Sequence, residues 1–360
     1  MGKLKLYTNS FFDELRHRQD ILADNAVSAL IRNPEWIELI NTWDSIPSEL
    51  PSSFSPELKE YFSFYEKKKV LVDEYSLTGG QRFFDKNGEL YLAMLGFYAL
   101  PYCYAFADGA QVLVRSKRIL ENVGERLGET ASFLMDIFEP GAFFQKEKAY
   151  LTCSKIRLIH AFSRYFILHY AKDWNPAFGQ PVNQEDMLGT NLAFSFIVLR
   201  GLTKLGFQPS EDEYRDVLLY WKWIGELMGI DVSFWPETSK ESFELDKLIR
   251  KRHLKSSEAG QKLLDSLILN YRSSIPDPLI NQQVERLLFF FLGKEASAAL
   301  GLKASRKLPG NLLGLMFTFL GWKNFGGKKG YIHIRQTMEI QQKSQFGRVL
   351  SIRLPELNRT

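Results

Sequence analysis

The sequence predicts an all-α protein. Three observations carry this: apolar residues recur at helical spacing in window after window, strand-like alternation is rare, and most Gly and Pro residues fall between the periodic stretches. The first helix is read at 11–31 and stops before Pro34; a Ser- and Pro-rich loop at 47–56 then leads into a helix at 57–75. The stretch 90–107 is strongly apolar and contains Pro101 and several tyrosines, and 118–138 ends at Pro140 and Gly141. A helix at 150–170 is apolar around most of its circumference and stops short of Pro176. The next, 183–205, opens on Asn183 with Asp186 three residues on, and ends at Gly206 and Pro209. Helices at 210–228, before Pro236, and at 281–302, before Pro309 and Gly310, complete the reading, with a Gly- and Lys-containing loop at 326–330.

With 360 residues, 45% of them hydrophobic, the chain can bury a substantial core. No internal repeat or change of composition divides it, so a single large helical domain over 1–360 is expected, with 1–33 and 326–360 as peripheral segments. The net charge of +4 comes from 46 basic and 42 acidic residues scattered along the chain, which argues against a nucleic-acid partner. Cys103 and Cys153 are too few for a disulfide framework or a cysteine-ligated metal cluster. The first residues lack a secretory pattern, so a cytoplasmic protein is expected. The apolar windows at 90–107, 287–292 and 312–322 are short or interrupted against the ~20 residues a span needs, which favours core helices and leaves only peripheral membrane contact open.

The residues that stand out for chemistry lie at 154–166. At about 100° per residue, Arg157, His160, Ser163 and Arg164 share one face of a helix whose other positions are apolar. Two guanidinium groups on a buried helix require acidic partners, because an isolated buried charge is too costly. A histidine on such a helix is either a core residue satisfied locally or a ligand. A haem would satisfy the whole face, since neutral imidazole binds iron, basic side chains pair with propionates, and an apolar wall covers the porphyrin. Zinc or non-haem iron would need further ligands, and His17, His169, His253 and His333 are dispersed.

Upstream, Arg126, Glu129 and Thr130 stand at i, i+3 and i+4 on one helix face, explicable as a solvated Arg–Glu pair with a threonine bonding back to the chain. Downstream, Asn183, Glu185 and Asp186 suit a helix start, and the two acids are candidate partners for Arg157 or Arg164. Trp221, Trp223, Phe234 and Trp235 are read as core. Gly79-Gly80 and Gly326-Gly327 lack the flanks of a phosphate loop, and Gly-x-Ser-x-Gly is absent.

In order, the Arg126-to-Thr130 helix, the Arg157–His160–Arg164 helix thirty residues on, and the run from Pro181 to Asp186 followed by Thr190, Phe194 and Ser195 resemble the family of MpaB-type and latex-clearing rubber oxygenases. Weaker similarity extends from Pro34 to Gly229. The resemblance implies a globin-like helical core with extra helices, a b-type haem with iron on His160, basic Arg157 or Arg164 at a propionate, and Arg126 and Thr130 on the distal side. It implies an oxygenase that uses dioxygen on a hydrophobic substrate. The lysine that can ligate the distal iron in a rubber-cleaving member falls at Glu129, and the catalytic glutamate of those enzymes falls near Ala110, with Asp108 and Gln111 close by but not aligned. Both departures point away from rubber toward a smaller isoprenoid or lipid-like molecule, with Glu129 as the replacement acid or base and the sixth iron position open or water-filled. The alternatives are a non-enzymatic haem or lipid carrier and a helical scaffold without cofactor.

Overall fold

Several helices here begin where a side chain satisfies one of the first free amides, and such caps explain where the sequence reading of the first two helices needs correction. In the computed structural model, residues 3–115, 122–273, 281–303, 314 and 330–357 are described. The expected helix at 11–31 is two: α1 (Asn9–Arg16) and α2 (Ile21–Arg32), because the carboxylate of Asp20 accepts from the Ala23 amide and restarts the chain as an N-cap. After α3 (Glu35–Asn41), the expected 57–75 helix becomes α4 (Pro56–Lys69), capped by Ser55, and the start of α5 (Glu74–Met94), capped by Asp73. A π turn at Leu95–Ala99 joins α5 to α6 (Leu100–Tyr104) without a break and lies just before Pro101, which has no amide to donate within the helix.

The chain continues through α7 (Ala107–Arg115), α8 (Val123–Ile137) and α9 (Lys148–Tyr170). Asn183 caps α10 (Gln184–Leu192) by accepting from the Asp186 amide at 2.9 Å, the spacing read in the sequence; a second π turn at Ala193–Ile197 leads to α11 (Val198–Lys204). Ser210 and Glu213 form a capping box on α12 (Glu211–Leu227). Beyond the sequence reading lie α3, most of α5, α13 (Ser239–His253), α14 (Glu258–Ser273) and, after α15 (Gln283–Ala299), α16 (Tyr331–Phe346). No strand occurs among the described residues, so the all-α expectation holds. Residues 118–121, Pro309, Gly310, the apolar window at 312–322 apart from Gly314, and 326–329 lie outside the described residues.

The core centres on α5 against α12. Gly79 and Gly80 belong to the interior of α5 rather than to a loop: a Cβ on Gly79 would lie 2.3 Å from Asp216 Cγ, and one on Gly80 would lie 2.6 Å from Tyr220 Cβ. Behind this close approach Phe84, Phe138 and Tyr220 stack face to face, with centroids 4.3 and 4.6 Å apart. Trp221 and Trp235 are fully buried, as expected, while Trp223 is only partly so. The terminal segments are less peripheral than the sequence suggests. Phe12, Leu15, Val27 and Leu30 from the first 33 residues lie in the core, and α16 adds Tyr331, Ile334 and Met338. No described helix is long and apolar enough to cross a membrane.

Replacing Gly80 with Ala opposes two effects. Ala gains up to about 1 kcal/mol in helix propensity, but overpacking costs about 1–3 kcal/mol, and the Tyr220 Cβ is fixed to its backbone and cannot swing away. Net destabilisation is expected in urea denaturation, and a midpoint at or above that of the parent protein would contradict the α5–α12 spacing.

Candidate functional site

The candidate site is built on α9, whose helical period places Arg157, His160 and Arg164 on one face. Arg157 is only 4% exposed. Its partner is Asp20 at the start of α2: Nε donates to Oδ2 at 2.5 Å and Nη2 to Oδ1 at 2.8 Å, a bidentate pair. The guanidinium also lies 4.6 Å from the Phe64 ring centroid. Burial alone would lower the Arg157 pKa, but Tyr65 and Asp20 outweigh it and hold the group firmly protonated. Gly229, at φ +80, lets the backbone pass this pair, since a Cβ there would sit 2.3 Å from Asp20 Oδ2.

Two turns further along the helix, Arg164 donates from Nε to Asp24 Oδ1 at 2.7 Å and from Nη1 to the Val182 carbonyl at 3.0 Å. Val182 holds φ at 51°, a left-handed conformation that a β-branched residue rarely adopts, and its carbonyl is spent on Arg164. Burial raises the pKa of Asp24, against the opposing charge of Arg164. The acidic partners that the two arginines require are thus Asp20 and Asp24 on α2, not Glu185 or Asp186.

Between them stands His160, whose ring makes no hydrogen bond within the described structure; Nδ1 is buried and unpartnered. Burial, then the charges of Arg164 and Arg126, push its pKa down to about 4. The residue nevertheless keeps accessible surface. Ile156 and Ile159, half-buried on the same helix, flank it. Three buried nitrogens lack partners here: His160 Nδ1, Arg157 Nη1 and Arg164 Nη2. Unpartnered buried donors are uncommon and call for a cause.

Arg126 on α8 lies within electrostatic reach of His160, so two of the sequence-singled helices do meet. Its Nη1 donates to Glu129 Oε2 at 2.6 Å, and Thr130 Oγ1 donates back to the Arg126 carbonyl at 2.8 Å. The local reading of these three residues describes their bonding, although Glu129 is more buried than a solvated pair implies, its side chain being 13% exposed. Thr190 and Ser195 also bond back to their own helix, to the Asp186 and Asn191 carbonyls. Phe194 packs edge-on against Trp221, 5.5 Å away.

Glu185 and Asp186 are committed elsewhere, because α10 turns them toward α1 and α13. Glu185 accepts from Arg252 Nε at 2.6 Å and from Arg16 Nη1 at 3.3 Å, and lies 2.8 Å from His253 Nε2; Asp186 accepts from Arg16 at 3.0 Å. The other ring nitrogen of His253 lies 3.3 Å from Asp108 Oδ2, and Lys255 stands 3.2 Å from Asp108 Oδ1. Against the raising effect of burial, His253 and Lys255 draw Asp108 down to about 2. His253 moves the other way: burial would lower it, but Asp108 and Glu185 raise it. This buried network was not read from the sequence; the only signal was the basic cluster from Arg250 to His253 at a helix end, where cations oppose the helix dipole. Ala110 is fully buried, and Gln111 Oε1 accepts from Arg115.

Among the described residues no group of three or more His, Cys, Asp or Glu side chains could hold a metal ion. A metal at His160 would therefore need ligands from a cofactor. His160 offers one neutral nitrogen, and the arginines offer residual N–H groups to an anion.

Residues 98–322 match the model of the family described as ER-bound oxygenase mpaB/B'/Rubber oxygenase, catalytic domain. The chain is 21% identical over 269 residues to the rubber oxygenase of Streptomyces sp. (strain K30), an alignment covering 72% of this chain and 65% of that relative's length. Its fold is similar to that of latex clearing protein LCP solved in the closed state, with a TM-score of 0.70 and 17% identity over 96% of this chain and 93% of the other.

Asp20→Asn keeps the N-cap but removes the counter-charge of Arg157, and breaking a buried pair in this way costs about 3–5 kcal/mol. Asp13→Asn, which removes a 67% exposed partner of Arg252, is the control, at about 1 kcal/mol or less in the same urea titration. A cost for Asp20→Asn no larger than the control's would remove Arg157 from the buried charges. The Asp108–His253 network has its own pH window. Asp108, depressed from an ordinary 3.8 to about 2, contributes stability above 3.8 that is lost as pH falls through 2. His253, raised from 6.5, contributes fully below 6.5 and loses its contribution as pH rises through the raised value, with Arg16 opposing. The stability gap between the parent protein and His253→Asn should therefore narrow above pH 6.5; a gap that stays constant to pH 9 would show that the ring does not titrate in this network.

Proposed function

Because the chain belongs to the family of ER-bound MpaB-type and rubber oxygenase catalytic domains, we propose that it is a haem b-dependent oxygenase acting with dioxygen on a hydrophobic isoprenoid or lipid-like small molecule. The observation that supports this most is the face of α9: an unbonded, half-buried His160 set between two guanidinium groups that each retain an unpartnered buried nitrogen. A b-type haem takes a protein ligand on its iron and carries two carboxylates, and this face offers a nitrogen and two residual donors. His160 would ligate the iron, and Arg157 Nη1 and Arg164 Nη2 would meet propionates. Bound there, the haem supplies the redox chemistry with dioxygen.

The protein's own residues set the conditions for that chemistry. Burial and two nearby cationic charges keep His160 unprotonated well below neutral pH, so its nitrogen lone pair stays available. Glu129, held by Arg126, presents a carboxylate that can accept or return a proton at Oε where the resemblance places a lysine. A charged carboxylate tied to an arginine does not replace a neutral amine as a ligand, so Glu129 would act as an acid or base and not as a metal ligand. The Thr130 hydroxyl spends its proton on the Arg126 carbonyl and serves to hold the distal helix face rather than to donate to substrate. On α7, Asp108 is occupied by His253 and Lys255 and Ala110 carries no acid, so the acid/base function implied there for rubber cleavage is absent. That difference argues against cleavage of the polymer named for the relative.

The competing reading, a scaffold without cofactor, draws on the pairing of Arg157 and Arg164 with Asp20 and Asp24. It leaves the three unpartnered nitrogens without a cause. The visible spectrum of protein produced with haem supplied decides between them. A Soret band that is lost or shifted in His160→Ala, together with dioxygen uptake on isoprenoid or fatty-acid substrates, is expected. No band, or a band unchanged in the variant, overturns the haem assignment, and haem without dioxygen uptake indicates a carrier.

A further inference from the structure

The first turns of α9, before the two arginines, carry a different cluster. Lys148, Thr152 and Lys155 are spaced four and three residues apart and share one face. Lys148 Nζ lies 2.7 Å from Asp136 Oδ1, and Thr152 Oγ1 donates to Asp136 Oδ2 at 2.9 Å, so both oxygens of that α8 carboxylate are engaged. Lys155 is only 5% exposed, yet its amine has no hydrogen bond or ion pair among the described residues. The tail after α16 passes close by. Gln342 accepts from the Leu350 amide at 2.9 Å, and Asn41 holds Leu354 from both sides, accepting from its amide at 2.8 Å and donating to its carbonyl at 3.1 Å. These anchors keep Arg353, exposed and itself without an ion pair among the described residues, within electrostatic reach of Lys155. Burial, then Arg353, brings the Lys155 pKa down to about 8; Lys148 acts in the same direction, while Asp136 and the exposed Asp44 oppose it. A buried cation with no partner is costly, and here the cost is met by an amine that is partly uncharged near neutral pH.

We propose that Lys155 is a modification site for dissolved carbon dioxide, at which the buried, unpartnered amine forms a carbamate that Arg353 then answers. The nitrogen lone pair forms a bond to carbon, one C=O π pair moves onto oxygen, and an N–H proton leaves to solvent, giving R–NH–COO⁻ with no oxidant and no second reactant. Charge selects this electrophile among those that amines attack. An aldehyde would give a protonated imine, which restores the repulsion with Arg353, and an acyl donor would give a neutral amide, which leaves Arg353 unanswered. Carbon dioxide instead turns the buried cation into an anion beside Arg353 and Lys148. Its three atoms also suit a side chain that is 5% exposed. The carbamate joins α9 to the tail where two like charges stood before.

The test is carbon-13 NMR of the full chain under carbon-13-labelled carbon dioxide near neutral pH. The terminal amine, with an ordinary pKa of about 8, gives a reference carbamate resonance, whereas ordinary lysines, at about 10.4, stay protonated. A second carbamate resonance is expected beside the reference. It is lost in Lys155→Met, which keeps an apolar stem, and in Lys155→Arg, which keeps the charge but holds its proton. In Arg353→Gln its occupancy falls roughly twofold to fivefold, the scale of one exposed charge. Far-UV circular dichroism checks that each variant folds. Only the reference resonance in the parent protein, a second resonance that survives in both Lys155 variants, or an occupancy unchanged in Arg353→Gln each overturns the proposal. The measurement does not require haem, so this inference and the oxygenase reading fail on separate experiments.

Discussion

The constraint on which the rest of this structure depends is that α9 runs through the interior while carrying charge. Arg157 and Arg164 cannot be solvated there, and the chain neutralises them with carboxylates from a helix more than 130 residues earlier. Asp20 both starts α2 and closes the bidentate pair, so one residue fixes where that helix begins and what it lies against. A buried pair of this kind adds little net stability over an apolar replacement, but it is costly to break, and that asymmetry specifies one packing of α2 on α9 among many that apolar contacts alone would allow. With α2 settled, α4 packs against both α2 and α9, and Gly229 is required where the chain passes the pair.

A second buried network divides the remaining acids. Glu185, Asp186 and Asp108 gather Arg16, Arg252 and His253, joining α1, α7, α10 and α13 at one point. Because every one of those carboxylates is engaged, none is left to answer the cations on α9. The two networks are thus separate solutions to the same electrostatic problem, and their separation leaves residual N–H groups on the arginines beside His160.

Local patterns were legible in the sequence and long-range pairings were not. The shared face of Arg157, His160 and Arg164 follows from helical period, and the Asn183 cap and the Arg126–Glu129 pair from spacing alone. Asp20 and Asp24, by contrast, look like ordinary charges near a helix start, and nothing in their neighbourhood reports that they meet α9. Gly79-Gly80 is only a rejected phosphate loop in the sequence, and Asp216 and Tyr220 on another helix explain why side chains are absent there. The helix Ser239–His253 escaped notice because charged residues dominate its composition, although Leu245 and Ile249 are buried in it. Its last residue, His253, gains meaning only from Asp108 and Glu185, which lie 145 and 68 positions earlier in the chain.

The two π turns, Leu95–Ala99 and Ala193–Ile197, pack against each other, and Tyr91 donates to the Phe194 carbonyl across their junction. Each turn is equivalent to one extra residue absorbed into a helix without a break, so the faces before and after it are indexed about 100° apart. Such a rod has a phase as well as a length. The α10 face that carries Thr190 and the α11 face that carries Arg200 are set by the turn between them, and insertion or loss of one residue there acts as a rotation of the whole flanking helix. Elsewhere in this fold a change of one residue in a loop alters only reach; at these two crossings it alters aim.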